Sequence, residues 1–275
     1  MKFSTYALSS LAVAALTSTA SAGMVVTKEK TVSAMITITN MAPEMGTFQT
    51  PVWAGIHDGS FDLYDRNKTV TVAIERMAED GDLSLLFNDF ANTEGGAWDG
   101  MVGGAPISPG ETVTLPFDIT YTTGCSHYFS YGSMILPSND FWIANGNPMA
   151  YEVINDMGDF IGTEFMVFGD QVLDAGTEVN DEDPANTAFF GQAEADSGVN
   201  ENSYVTLATE GFKPAGSGGI LDDEMFANAD FTAEGYMMLK VKVEAVNPEM
   251  EMEVEPTSST GDYGDRRRAS VRGAN

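Results

Sequence analysis

The feature that most limits this chain is a strict alternation near its C-terminal end. Leu239, Val241 and Val243 are apolar, and Lys240, Lys242 and Glu244 between them are charged. A period of two belongs to a β-strand with one face in a core and one in water; a helix would scatter these residues around its circumference. Similar signals recur along the chain. Met35-Ile36-Thr37-Ile38-Thr39 is rich in β-branched residues and stops at Asn40, with Pro43 close behind. Thr50 to His57, Thr112 to Thr120, Tyr128 to Leu136, Phe165 to Phe168, Tyr204 to Ala208 and Tyr236 to Val246 read as further strands. Helical spacing occurs in one place, Val72 to Ala78 followed by Asp82 to Phe90, with Val72, Ala73, Met77, Leu83, Leu86, Phe87 and Phe90 as its apolar positions. Asp80 or Asp82 is placed to cap the second helix. The pattern predicts an all-β, antiparallel β-sandwich with a short helical insert between its second and third strands. Asn92 to Gly104, Asp181 to Asn202 and Pro214 to Gly219 read as loops.

Such a fold has no covalent staple here. Cys125 is the sole cysteine, so it has no partner within the chain, and a buried, inert thiol is expected. The N-terminus reads as a signal peptide over residues 1–22: Lys2, an apolar run from Ala7 to Leu16, then Ala20-Ser21-Ala22 before Gly23. That run is shorter than the roughly 20 residues a membrane span requires, so the expectation is a secreted, extracellular protein with no transmembrane segment. Cleavage would leave 253 of the 275 residues, enough for one large domain over residues 23–246. From Asn247 the composition shifts to Glu-Met repeats, then Pro, Ser, Thr and Gly, and closes on Arg266-Arg267-Arg268, which reads as a disordered tail over residues 247–275.

Charge narrows the partners. The full chain carries 41 Asp and Glu against 13 Lys and Arg, and the leader accounts for one of those lysines and none of the acids. So acidic a surface repels phosphate backbones, which argues against nucleic-acid binding, and it attracts hard divalent cations. Catalytic motifs are scarce. His57 and His127 are the two histidines; Cys125 and His127 share a face if they lie on a strand, but no second pair completes a zinc set. No Gly-x-Ser-x-Gly elbow nominates a nucleophile, and Gly216-Ser217-Gly218-Gly219 lacks the Lys-Ser/Thr of a phosphate loop. Glycoside-cleaving carboxylate pairs are conceivable, yet the sequence singles out none. The turn His57 to Asp62 reads as structural, supporting the metal end of the sandwich, and Asn67-Lys68-Thr69 is a glycosylation sequon in a loop.

Two loops stand out chemically. One is Leu136-Pro137-Ser138-Asn139-Asp140-Phe141-Trp142, the other Val172-Leu173-Asp174-Ala175-Gly176-Thr177-Glu178. Two acids four apart around Ala-Gly-Thr suit a tight turn whose glycine lets the chain curl around an ion, with Asp140 arriving from a neighbouring loop. Calcium accepts such clusters because it takes six to eight oxygens in loose geometry. A water-solvated acidic loop is the competing reading.

With these loops in their context the chain resembles the spondin N-terminal domain, a family of extracellular C2-like antiparallel β-sandwiches. The stretches that carry the resemblance are Thr50 to Asp65, Glu75 to Gly81, Ile107 to Glu111, Ser133 to Asp140 and Asp174 to Glu178, in the family's order, spanning roughly residues 30 to 246. The resemblance implies a calcium ion held by Asp140, Asp174 and Glu178. Here the last acid is glutamate where the animal spondins usually have aspartate, and their cysteines and thrombospondin repeats are missing. The function it implies is a secreted, calcium-binding adhesion or matrix-binding module, taking an extracellular matrix or cell-surface ligand such as an anionic polysaccharide. The alternatives are an extracellular polysaccharide hydrolase and a structural coat protein.

Overall fold

A computed structural model describes residues 28–246; the expected signal peptide, the tail from Asn247 and its arginine cluster lie outside the described residues. The chain is an antiparallel β-sandwich with two short helices. Strands β1 (Glu29–Asn40), β2 (Phe48–Gln49) and β3 (Val52–His57) precede helices α1 (Val72–Asp80) and α2 (Ser84–Ala91). Next come β4 (Gly96–Val102), β5 (Thr112–Thr122), β6 (His127–Leu136), β7 (Phe141–Ala144), β8 (Glu152–Ile154) and β9 (Thr163–Phe168). Strands β10 (Leu173–Asp174), β11 (Thr206–Leu207) and β12 (Met237–Ala245) complete the order.

The smaller sheet runs β5-β1-β12-β9 and the larger β11-β10-β7-β6-β3-β4, with β2 and β8 also paired to β6. In the small sheet the alternation read from the sequence is obeyed: Ile36 faces Val243 and Ile38 faces Val241, all four buried, while Lys240 and Lys242 reach outward. These residues pack on Ile56, Phe129, Tyr131 and Ile143 of the large sheet, and this inter-sheet core is the main one. Each fully buried aliphatic or aromatic side chain there contributes about 1.5–3 kcal/mol relative to exposure.

The large sheet departs from simple alternation. Every residue of β3 and β7 is buried, because the sheet's outer face is covered as well. Trp53, Trp142 and Leu173 point outward into a second core built with Ile74 and Met77 of α1 and Leu86 and Phe90 of α2. The helical insert is thus a third layer. Thr71 caps α1 by accepting the Ile74 N–H, and Gly81 ends it at φ 68°, donating to the Met77 carbonyl. Ile74, not Val72, completes the apolar stripe of α1; Val72 is exposed. Asp82, rather than Asp80, accepts the Ser84 N–H at the start of α2. Gly132 lets α1 settle on the sheet, since a Cβ there would stand 3.0 Å from the Met77 sulfur.

Two expectations are corrected. The Gly-rich stretch Asn92 to Gly104 is not all loop: Gly96–Val102 forms edge strand β4 by pairing with β3 along Val52 to His57, with Val102 in the core and Trp98 packed on Phe117. Cys125 is exposed, because it sits in the bend between β5 and β6 rather than on a strand, so it shares no face with the buried His127. The sequon residue Asn67 is exposed in a turn. No described helix is long and apolar enough to cross a membrane.

Candidate functional site

Asp140 lies in the connection from β6 to β7, after a cis Leu136–Pro137 bond. Its neighbours fix that connection. Ser138 Oγ donates to the Ile135 carbonyl at 2.7 Å and accepts the Phe141 N–H, and Asn139 Oδ1 accepts the Glu182 N–H. β7 then carries the chain back along β6 and pairs with β10, whose register sets Asp174 opposite Phe141. Asp174 opens the tight turn expected from the sequence. Its Oδ1 accepts the Gly176 N–H at 2.8 Å, and Gly176 holds φ 68°, the left-handed conformation that glycine tolerates best.

The two loops meet through Asp140. Its Oδ2 accepts the Thr177 N–H at 2.8 Å, the Glu178 N–H at 3.1 Å and the Thr177 hydroxyl at 3.2 Å. Its Oδ1 has no partner although the residue is fully buried. Asp174 is better satisfied, since Oδ2 accepts from the Asn180 amide at 2.9 Å. Glu178 is buried against Gly198, where any Cβ would overlap its carboxylate. Its Oε1 accepts the Gly198 N–H at 2.9 Å, and its Oε2 is unpartnered. The structure therefore brings the three sequence-nominated acids into one neighbourhood, with two buried oxygens left over.

The electrostatics follow from burial. Asp140 is pushed up to about 7 by loss of water and by the Asp174 charge, against the pull of its three donors. Burial raises Asp174, with Glu201 adding to it. Glu178 rises to about 8, through burial first and then the charge of Glu79. Desolvation of this kind disfavours the ionised form until a proton or a cation neutralises it.

Glu79 was not singled out in the sequence. It lies in the last turn of α1, is 1 % exposed, and neither of its carboxylate oxygens has a hydrogen-bond partner. Burial pushes it to about 7. The nearby cation Arg76 is engaged elsewhere, with Asp80 at 2.6 Å and Asp196 at 3.4 Å. Glu182, also buried and also missed, is satisfied by the Lys213 and Ile220 N–H groups. A cleft of about 450 Å³ beside the site is lined by Phe141, Asp174, Asn180, Glu182, Phe212 and Lys213.

The turn after β3 belongs to the opposite end of the sheet. His57 pairs with Tyr128 at the start of β6, whereas Asp140 follows its end, roughly 25 Å away by strand rise. The expectation that this turn supports the metal end is therefore corrected, the antiparallel register being what separates them. His57 Nδ1 accepts the Gly59 N–H, so Nε2 carries the proton and donates to Ser130 Oγ at 2.8 Å; Asn145 donates to the same oxygen at 2.9 Å. Burial lowers His57 to about 4.

Among the described residues, no group of three or more His, Cys, Asp and Glu side chains is already arranged to hold a metal ion. The acids are neighbours with spare oxygens rather than a finished coordination shell. Carboxylate oxygens that accept one hydrogen bond retain a lone pair, so the donor set of Asp140, Asp174 and Glu178 suits a hard, oxygen-seeking cation. No protein-family model matches the chain, and no curated protein matches it.

Proposed function

We propose that this protein is a secreted, calcium-binding adhesion or matrix-binding module of the spondin N-terminal type. One observation carries the reading: a fully buried aspartate, Asp140, spends one oxygen on three donors from the Thr177–Glu178 turn and leaves the other unpartnered beside Asp174 and Glu178. A buried carboxylate oxygen without a donor is expensive, and a divalent ion offsets that cost. Asp140, Asp174 and Glu178 would hold the ion, and calcium bound there would neutralise them and stiffen both loops. The net charge of −28 suits an extracellular ligand met through a bridging cation, such as an anionic polysaccharide of a matrix or cell surface.

Glycoside hydrolysis is the rival reading, and raised carboxylates are its usual reagents. Glu79 and Glu178 have such values, but at 1 % and 2 % exposure neither can touch a sugar chain, which favours ion binding at this pair. The test is calorimetric titration of the purified, calcium-depleted protein with calcium chloride, together with thermal melting. Saturable heat and a higher Tm are expected. No heat and an unchanged Tm would remove the reading.

A further inference from the structure

Another cavity opens at the far end of β7 from Asp140, and its chemistry is the opposite of the acid loops. It measures about 460 Å³ and is bordered by Tyr64, Arg66, Tyr131, Asn147, Tyr151 and Gln171. That size falls within the range of about 300–1,000 Å³ usual for small-ligand sites. We propose that this cavity binds a uronate unit of a glycan chain without help from a cation, Arg66 pairing with the sugar carboxylate and the tyrosines packing on its ring. The site goes beyond the calcium reading, because none of the three nominated acids borders it.

The free polar groups on this lining are chiefly donors. Asn147 Oδ1 accepts the Met149 N–H at 3.0 Å and Gln171 Oε1 accepts the Phe168 N–H at 2.9 Å. Both amide nitrogens are therefore left for a ligand. Arg66 is exposed, and among the described residues no carboxylate pairs with it, which is unexpected where acids outnumber bases 41 to 13. Asp65 is the single acid on the lining; it is exposed and forms no ion pair with Arg66. A surplus of donors calls for a ligand rich in oxygens, and the guanidinium fork matches a carboxylate in particular. Acids farther off are screened, since the Debye length is about 8 Å at physiological salt.

The apolar part of the lining is held in advance. Tyr151 stacks on Phe165 with ring centroids 3.6 Å apart and planes 9° from parallel, and Tyr64 meets Trp142 edge-on at 5.0 Å. Rings already fixed lose little freedom when a ligand arrives. Asn145 stiffens the wall, since its amide is engaged by Ser130 Oγ, the Asn147 carbonyl and the Tyr131 N–H. Gly146 lets the Tyr64 hydroxyl reach that wall, where a Cβ would stand 2.6 Å from the oxygen.

The experiment is calorimetric titration of the purified protein, in buffer with a calcium chelator, using trimers of galacturonate, mannuronate and guluronate and a neutral galactose trimer. Saturable binding of at least one uronate trimer is expected, about tenfold or more tighter than the neutral one, as a charge-assisted pair provides. Arg66→Gln, an exposed and unpaired position where folding is not at stake, should abolish that preference. Lys68→Gln removes an exposed cation outside the cavity and should leave the preference intact. Equal loss in both variants reduces the effect to general charge attraction and overturns the site. No binding of any uronate trimer, or equal binding of the neutral one, overturns it as well. Uronate binding that appears only when calcium is restored also overturns it, while supporting a cation bridge at the acid loops. Uronate binding in chelator by a protein that gives no heat with calcium leaves this site standing and removes the calcium reading alone.

Discussion

Strand β6 has a buried polar cluster near each end, and the two are completed differently. At its start, His57, Ser130 and Asn145 are neutral and close on one another: both ring nitrogens of His57 are engaged, Ser130 takes two donors, and Asn145 also accepts the Tyr131 N–H. Past its end, Asp140, Glu178 and Glu79 are acids with bare oxygens. Both sets are buried, so exposure does not explain the difference. A closed network of neutral groups is complete as folded and stiffens the core. A set of carboxylates with unmet oxygens is complete only with something added.

That contrast can be broken in four ways. The largest effect should come from Asp140→Ala, which strands the Thr177 and Glu178 N–H groups and the Thr177 hydroxyl; a loss of about 3 kcal/mol is expected in urea unfolding, with calcium binding abolished. An intact calcium affinity would separate Asp140 from the ion.

The pH profile comes next, and its two arms have opposite signs. The folded His57 stays neutral to about 4 while an unfolded histidine protonates near 6.5, the Asp58 charge opposing and His127 reinforcing the effect of burial. Stability should therefore fall as pH drops from 6.5 to 4, by about 3 kcal/mol from this group. Glu79 and Glu178 are raised to about 7 and 8, with Glu75, Asp80, Asp196 and Asp140 as their charged neighbours. Calcium-free protein should lose stability as pH rises from the ordinary 4.5 through those values. The two effects oppose each other between 4.5 and 6.5, so saturating calcium should flatten the alkaline arm and unmask the histidine's fall on the acid side. If calcium moves neither arm, the acid cluster is as self-sufficient as the histidine cluster.

Ser130→Ala tests the neutral end. It leaves the His57 and Asn145 donors without their shared acceptor and should cost about 2 kcal/mol without altering calcium affinity. The smallest effect on folding belongs to Asp174→Asn. A carbonyl still accepts the Gly176 N–H and only the Asn180 contact is lost, so a change under about 1 kcal/mol is expected, together with a marked loss of calcium affinity by titration.

Much of this arrangement was legible beforehand, and the omissions share a cause. Lys240 and Lys242 between buried valines reveal a strand covered on one side, and Gly176 between two acids reveals its turn. The third layer was less visible because Val52 to Ile56 contains no polar residue to alternate; an unbroken apolar run is the mark of a strand covered on both faces. That missing layer hid Glu79. On a helix against solvent an acid between Ala78 and Asp80 is unremarkable, and only the packing of Ile74 and Met77 on the sheet turns its carboxylate inward. Strand β4 escaped because glycines suggest loops, whereas its ladder is built from backbone groups alone.

The pairing of β1 with β12 has a consequence for how the molecule is made. The first described strand, ending at Asn40, has as one neighbour a strand that runs to Ala245, the other being β5. During synthesis one edge of β1 must wait for the ribosome to deliver some two hundred further residues, and so distant a partner is slow to find even then. Nascent chains shortened before Met237 would hold an open β1 edge, ready to capture another copy of themselves.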